Sequence, residues 1–179
     1  MKKYQIIYAD PPWEYNKNWH PSQHYDDKDG YSRLSIKKLC ALPISEFTDD
    51  NTALFLWVTM PQLDVSFDII KSWGFEYKTC AFTWVKTNKL RGYYFGLGNW
   101  TRANPELCLL AFKGKMERLR NDIPQLVVSD ITEHSHKPSI IREHIVSLLG
   151  DLPRIELFAR RKVEGWDCWG NEVESDIEL

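Results

Sequence analysis

The sequence predicts an α/β fold, with a mostly parallel central sheet and helices on both faces. Two observations predict it. Short apolar runs alternate along the chain with segments whose apolar residues recur at helical spacing. The composition, 43% hydrophobic and 27% charged over 179 residues, is that of one globular domain with a core of useful size.

Gln5–Ala9 is an apolar run that stops at Asp10-Pro11-Pro12, so it reads as a buried strand ending in a rigid turn. Residues 14–32 are polar and turn-rich and read as a long functional loop. Ser35 is placed to cap a short helix reaching Leu42, before Pro43. Ala53–Val58 is a second buried strand. Pro61–Trp73 reads as a helix closed by Gly74. Thr79–Val85 and Leu107–Phe112 are strands joined by a basic, glycine-containing loop, and Leu126–Val128 is a shorter one. Ser139–Leu149 has Ile140, Ile141, His144, Ile145, Leu148 and Leu149 at helical spacing, with Gly150 as its stop. Arg154–Phe158 is the last strand expected. In such sheets ligands bind at the carboxyl ends of the strands. That rim collects Asp10-Pro11-Pro12-Trp13 and the residues after Phe158.

Composition narrows the class. No apolar stretch reaches the roughly 18 residues of a membrane span, and the apolar start meets Asp10 too soon for a signal peptide. Cys40, Cys80, Cys108 and Cys168 are widely spaced with no CxxC pair, which fits thiols of a cytoplasmic protein. Net charge is −2, but residues 86–120 carry eight Lys or Arg against two carboxylates, with Tyr93, Tyr94, Phe95 and Trp100 interleaved. That block suits phosphate contact and base stacking, and equally a solvated basic face. Gly96-Leu97-Gly98 lacks the continuation of a phosphate-binding loop. His134 and His136 beside Glu133 have no third ligand at useful spacing, so no metal is expected. His20 and His24 fall in the polar loop. Trp57, Trp73 and Trp84 read as core, and Trp166 and Trp169 as packing on the last strand, with contact to a bound ring as the alternative.

The most informative stretch is Asp10-Pro11-Pro12-Trp13. Two prolines remove the amide donors and leave acceptors, the Asp10 carboxylate and the Pro11 carbonyl, beside the flat face of Trp13. A planar ring bearing an exocyclic NH2 fits there. Acceptors out of its plane favour a pyramidal nitrogen and free its lone pair, and doing so mainly in the transition state is catalysis. A plain strand-ending turn with a core tryptophan fits the same four residues.

Tyr8-Ala9-Asp10-Pro11-Pro12-Trp13 also resembles the active-site motif of the adenine-N6 methyltransferases, the family that includes the eukaryotic messenger-RNA adenine methyltransferase and many bacterial and phage homologues. Leu54–Thr59, Trp84–Asn88, Gly98-Asn99-Trp100, Asn104–Leu109, Ser135–Pro138, Ile155–Arg160 and Trp169–Glu172 resemble that family's further motifs, in order, from Tyr4 to about Val173. The resemblance implies a Rossmann-like methyltransferase fold in circularly permuted order, a single catalytic domain over 1–179, S-adenosylmethionine as cofactor, and methyl transfer to N6 of adenine in nucleic acid. DNA is the expected substrate. RNA, a non-catalytic partner subunit and a homodimer stay open.

Residue by residue, the resemblance implies that Asp10, Pro11, Pro12 and Trp13 are catalytic. Asp10, Lys137, Glu156, Phe158, Arg160, Asn171 and Glu172 are implied for the cofactor, with Lys137 at its carboxylate. Tyr31, Lys86, Asn88, Lys89, Arg91, Arg102, Asn104 and Glu106 are implied for the substrate. Arg160-Arg161-Lys162-Val163 departs from the family's His-Asn dipeptide, which shifts the ribose contacts toward Arg161 and Glu172. Glu172 stands where the eukaryotic branch commonly has Gln.

Overall fold

The computed structural model describes residues 2–14, 33–89, 92–96, 98, 100–132 and 136–179. In order these form β1 (Tyr4–Ala9), α1 (Ile36–Cys40), β2 (Thr48–Val58), α2 (Leu63–Ser72), β3 (Glu76–Asn88), β4 (Gly92–Tyr93), β5 (Glu106–Lys113), β6 (Leu126–Asp130), α3 (Ile140–Leu149), β7 (Arg154–Leu157) and β8 (Asp167–Trp169). Short 3₁₀ turns at Ile44–Phe47 and Met60–Gln62 precede β2 and α2.

The eight strands make one sheet in the order β4-β3-β5-β2-β1-β7-β8, with β6 also paired to β3. It is a mixed sheet, not the mostly parallel one expected. The pairs β1/β2, β1/β7, β7/β8 and β3/β6 are parallel. β5 runs antiparallel to both β2 and β3, and β4 antiparallel to β3. The reason is connectivity. Among the described residues no helix intervenes between β3 and β5, so the chain doubles back as a hairpin, and β5 fills the place beside β2.

Alternation along the central strands builds two cores. Ile7, Leu54, Leu56, Leu109 and Ile155 pack on one face with Leu39 of α1 and with Ile69 and Ile70 of α2. Ile6, Tyr8, Phe55, Trp57, Phe82, Trp84 and Cys108 pack on the other with Ile141 and Ile145 of α3. Helices therefore cover both faces, and every residue of β1 except Gln5 is buried. Trp57, Trp73 and Trp84 are core residues, as expected. The Ser35 hydroxyl caps α1 by accepting from the Lys38 amide at 3.4 Å. Gly74 and Gly150 end α2 and α3 with φ of 85° and 93°, values a side chain would oppose. Strands β2, β3 and β5 extend beyond their expected limits, and β4 and β8 were not expected. No helix among the described residues is long and apolar enough to cross a membrane.

Ile7 has no exposure at the centre of the first core. Ile7→Ala is expected to lower the unfolding free energy by about 2–5 kcal/mol, read from the denaturant midpoint. A shift under about 1 kcal/mol would show that the core is not closed around β1.

Candidate active site

β1 and β7 run parallel with Ala9 opposite Leu157, so the next residues, Asp10 and Phe158, leave the sheet at the same rim. Pro11, Pro12 and Trp13 are buried behind Asp10. The Trp13 amide donates to the Pro11 carbonyl at 2.9 Å, and the Leu34 amide to the Pro12 carbonyl at 2.9 Å. Gln62 Nε2 donates to the Glu14 carbonyl at 3.0 Å, fixing the exit of the turn. The Trp13 ring, 5% exposed, belongs to the first core, and its indole N–H has no partner among the described residues. It braces the turn from the core side and does not lie open beside Asp10 as the sequence suggested. The Pro11 carbonyl, expected as an open acceptor, already accepts one hydrogen bond and keeps one lone pair.

Asp10 joins a chain of charges. Lys137 Nζ lies 2.6 Å from Asp10 Oδ2 and 3.2 Å from Glu106 Oε2, and Lys86 Nζ closes on the other Glu106 oxygen. The Lys137 side chain is 9% exposed. Burial alone would lower its pKa. The opposed charges of Asp10 and Glu106 win and raise it well above the ordinary lysine value, so it stays an ammonium. Burial likewise would raise Glu106, but Lys137 and Lys86 pull its carboxyl below the usual range. The Lys137 ammonium also stands 5.4 Å from the Trp57 ring centroid. Trp57 Nε1 donates to the Tyr8 hydroxyl at 2.7 Å, and burial pushes that phenol well up, keeping it neutral. Arg142 grips Glu156 with two bonds of 2.7 and 2.6 Å, its guanidinium 5.3 Å from the Tyr8 ring.

Two cavities share this rim. The smaller, about 30 Å³, is lined by Asp10, His136, Lys137, Arg142, Glu156, Phe158, Arg160 and Arg161. The larger, about 240 Å³, is lined by Pro12, Leu34, Leu42, Phe158, Ala159, Arg160, Trp169, Gly170, Asn171 and Glu172. Phe158 and Arg160 line both, so the space beside Asp10 borders the space beside Asn171. Phe158 has φ 62°, a left-handed conformation unfavourable for a bulky residue, and its ring meets Trp169 edge-on at 5.2 Å. Gly170 lies against Ala159, where a Cβ would come within 2.2 Å of the Ala159 carbonyl oxygen. Only glycine lets the two backbones approach there.

Asp10, Lys137, Glu156, Phe158, Arg160, Asn171 and Glu172, all expected at the cofactor, line these two cavities. Of the residues expected at the substrate, Glu106 joins Asp10 through Lys137. Lys86 is drawn inward to Glu106, 16% exposed, and is not presented to phosphates. Asn104, expected in the wall of a base pocket, uses its amide on backbone: Oδ1 accepts from the Lys86 amide, and Nδ2 donates to the carbonyls of Lys86 and Tyr94. Lys89 and Arg102 are exposed, and Asn88 is half-buried at the end of β3. Tyr31 and Arg91 lie outside the described residues, as do His20, His24, Glu133 and His134. The sequence reading missed Arg142, a charge on a helix face expected to be apolar, and Leu34 and Leu42, which carry no chemical signal.

Comparison with known proteins found a family model, MT-A70, matching residues 4–172. A Type II methyltransferase, M.MunI, from a Mycoplasma species is 36% identical over 196 residues, covering 99% of this chain and 82% of that protein. The N(6)-adenosine-methyltransferase MT-A70-like protein of Drosophila melanogaster is 29% identical, covering 97% of this chain and 28% of its own length. The N(6)-adenosine-methyltransferase catalytic subunit METTL3 of Homo sapiens is also 29% identical, covering 97% of this chain and 29% of its own length. The chain thus spans most of the Mycoplasma protein and under a third of the other two.

Glu106 titrates lower in the folded chain than unfolded, so its stabilisation is present above the unfolded carboxyl pKa and is lost as pH falls through the lowered folded value. The stability gap between wild type and Glu106→Gln should therefore be full at neutral pH and shrink below about pH 4. A gap that does not change with acid would show that Glu106 is not held by Lys137 and Lys86.

Proposed function

We infer the activity from the premise that the chain belongs to the MT-A70 family: it is an N6-adenine methyltransferase acting on nucleic acid, with S-adenosylmethionine as methyl donor and DNA as substrate. The observation that carries this reading is the position of Asp10. It stands on a proline-braced turn at a strand end, paired to a buried lysine, in a cavity that shares Phe158 and Arg160 with a second, larger one. DNA is favoured by 36% identity to a Type II methyltransferase, against 29% to proteins named for adenosine, the ribonucleoside. RNA is the second reading.

The residues present fit the proposed cofactor. The larger cavity offers aromatic faces from Phe158 and Trp169, hydrogen-bonding groups from Asn171 and Glu172, and a glycine that lets backbone approach closely, which suits a nucleoside. Lys137 offers a fixed positive charge for a carboxylate. Bound there, S-adenosylmethionine supplies an electrophilic sulfonium methyl group. The chain's own residues do the rest. Asp10 Oδ1, the oxygen that does not accept from Lys137, would accept a hydrogen bond from N6 of adenine and orient the amino nitrogen. Lys137 holds the Asp10 carboxylate in place. Phe158 and Trp169 exclude water from the slot.

With the candidate catalytic turn after the first strand and the candidate cofactor turn after the last, the motif order fits a circularly permuted Rossmann-like methyltransferase. We take residues 1–179 as one catalytic domain and the cytoplasm as its location.

Asp10→Ala is expected to lower kcat about 10²–10³-fold with the fold retained by circular dichroism, measured as labelled methyl transfer and as N6-methylated adenine nucleosides by mass spectrometry. A wild type that methylates adenine in neither DNA nor RNA, or an Asp10→Ala variant at full rate, would refute the reading. Lys89→Ala with Arg102→Ala should make the log–log salt dependence of DNA binding shallower by about 0.9 for each phosphate no longer neutralised. An unchanged slope would remove both from the substrate face.

A further inference from the structure

Between β3 and β5 the described residues include an unburied indole, that of Trp100. The Tyr94 amide donates to the Lys86 carbonyl at 2.9 Å, and the Gly96 amide to the Ala103 carbonyl at 2.8 Å, so the stretch after β4 is tied both to β3 and to the approach to β5. A Cβ at Gly96 would stand 2.5 Å from the Ala103 oxygen, and one at Gly98 2.0 Å from the Thr101 oxygen. Glycine at both positions lets the backbone come this close. The Asn104 side chain bonds the backbone of Lys86 and Tyr94. Two residues later Glu106 enters the charge chain that holds Asp10.

Trp100 is 91% exposed, and Phe95 is 76% exposed. Tryptophan has more apolar surface to bury than any other side chain, and exposed aromatic patches mark places where something docks. The local charge says what docks. Residues 87–105 contain Lys89, Arg91 and Arg102 and no Asp or Glu. Cations and flat faces without carboxylates suit a polyanion built of stacked rings.

An adenine inside a duplex must leave its stack before N6 can reach a carboxylate in a cavity, and its departure leaves a gap. A side-chain ring can enter between base steps to fill such a gap. Trp100 is at most about 14 Å along the chain from Asn104. We propose that Trp100 is a wedge that enters the base stack of duplex DNA and holds the place of the extruded adenine, with Arg102 beside it on the phosphates. This rests on the adenine-methyltransferase reading and adds to it that the protein opens duplex substrate itself.

The test uses the full chain and one adenine-containing sequence that wild type methylates, offered as single strand, as duplex, and as duplex with an abasic site opposite the target. Trp100→Ala should lower the duplex-to-single-strand ratio of kcat/KM about tenfold or more, and Trp100→Phe should restore most of it. The abasic duplex, already loosened, should recover rate with Trp100→Ala. In a duplex carrying 2-aminopurine at the target, the fluorescence rise on binding should be present with wild type and absent with Trp100→Ala, a readout independent of methyl transfer. A wild type active on both strand forms, with the ratio unchanged or both rates lost equally in Trp100→Ala, overturns the wedge alone. So does a Trp100→Ala variant that changes sedimentation but not the ratio, which would make this face a contact between copies. A wild type inactive on both forms overturns the activity and the wedge together.

Discussion

A buried ammonium must have anions beside it, and Lys137 has two. Leaving such a group unpaired costs about 3–5 kcal/mol, so the positions of its partners are tightly constrained. Those partners come from distant parts of the chain. Asp10 follows β1, Glu106 begins β5, Lys86 lies near the end of β3, and Lys137 sits in the segment before α3. One run of alternating charge therefore ties together the rim that the sheet presents. The aromatic layer beneath it, Trp57 on Tyr8 and Tyr8 against Arg142, keeps water from that side. The net gain from such a network is modest against burying hydrocarbon. Its effect is to fix where the Asp10 carboxylate points.

The backbone supplies the second constraint. Phe158 turns out of β7 in a conformation that bulky residues avoid, and Gly170 allows the turn after β8 to press against Ala159. The two features set Phe158 and Arg160 on the border of both cavities. A carboxylate aimed by a lysine and a slot with aromatic walls then share one rim. That is the arrangement a transfer between two bound molecules requires, because its rate depends first on holding them in line.

Much of this is legible in the amino-acid sequence. The apolar runs located six of the eight strands because strands buried on both faces read as unbroken hydrocarbon. Asp10-Pro11-Pro12 was legible because two prolines after such a run leave few conformations. β8 was not, since three residues carry no period. The reversal of β5 was not, because periodicity marks a strand but not its direction; only the missing helix between β3 and β5 hinted at it. Lys86 looked like a surface cation because sequence shows charge and not the partner that draws it inward. Asn104 looked like a ligand-facing amide because nothing in its neighbourhood announces that Lys86 and Tyr94 need their backbones joined. Arg142 escaped notice because a guanidinium on the inner side of a helix has no signature apart from the Glu156 that meets it in space.

The central claim is that Asp10 and Lys137 act as one unit, and a double-mutant cycle measures that directly. Unfolding free energies of wild type, Asp10→Asn, Lys137→Met and the double variant would be compared at neutral pH. A coupling energy of about 1–3 kcal/mol is predicted, the double variant being more stable than the sum of the single losses implies. A coupling near zero would mean that the two side chains do not hold each other, and that the carboxylate at the heart of the proposed chemistry is left unaimed.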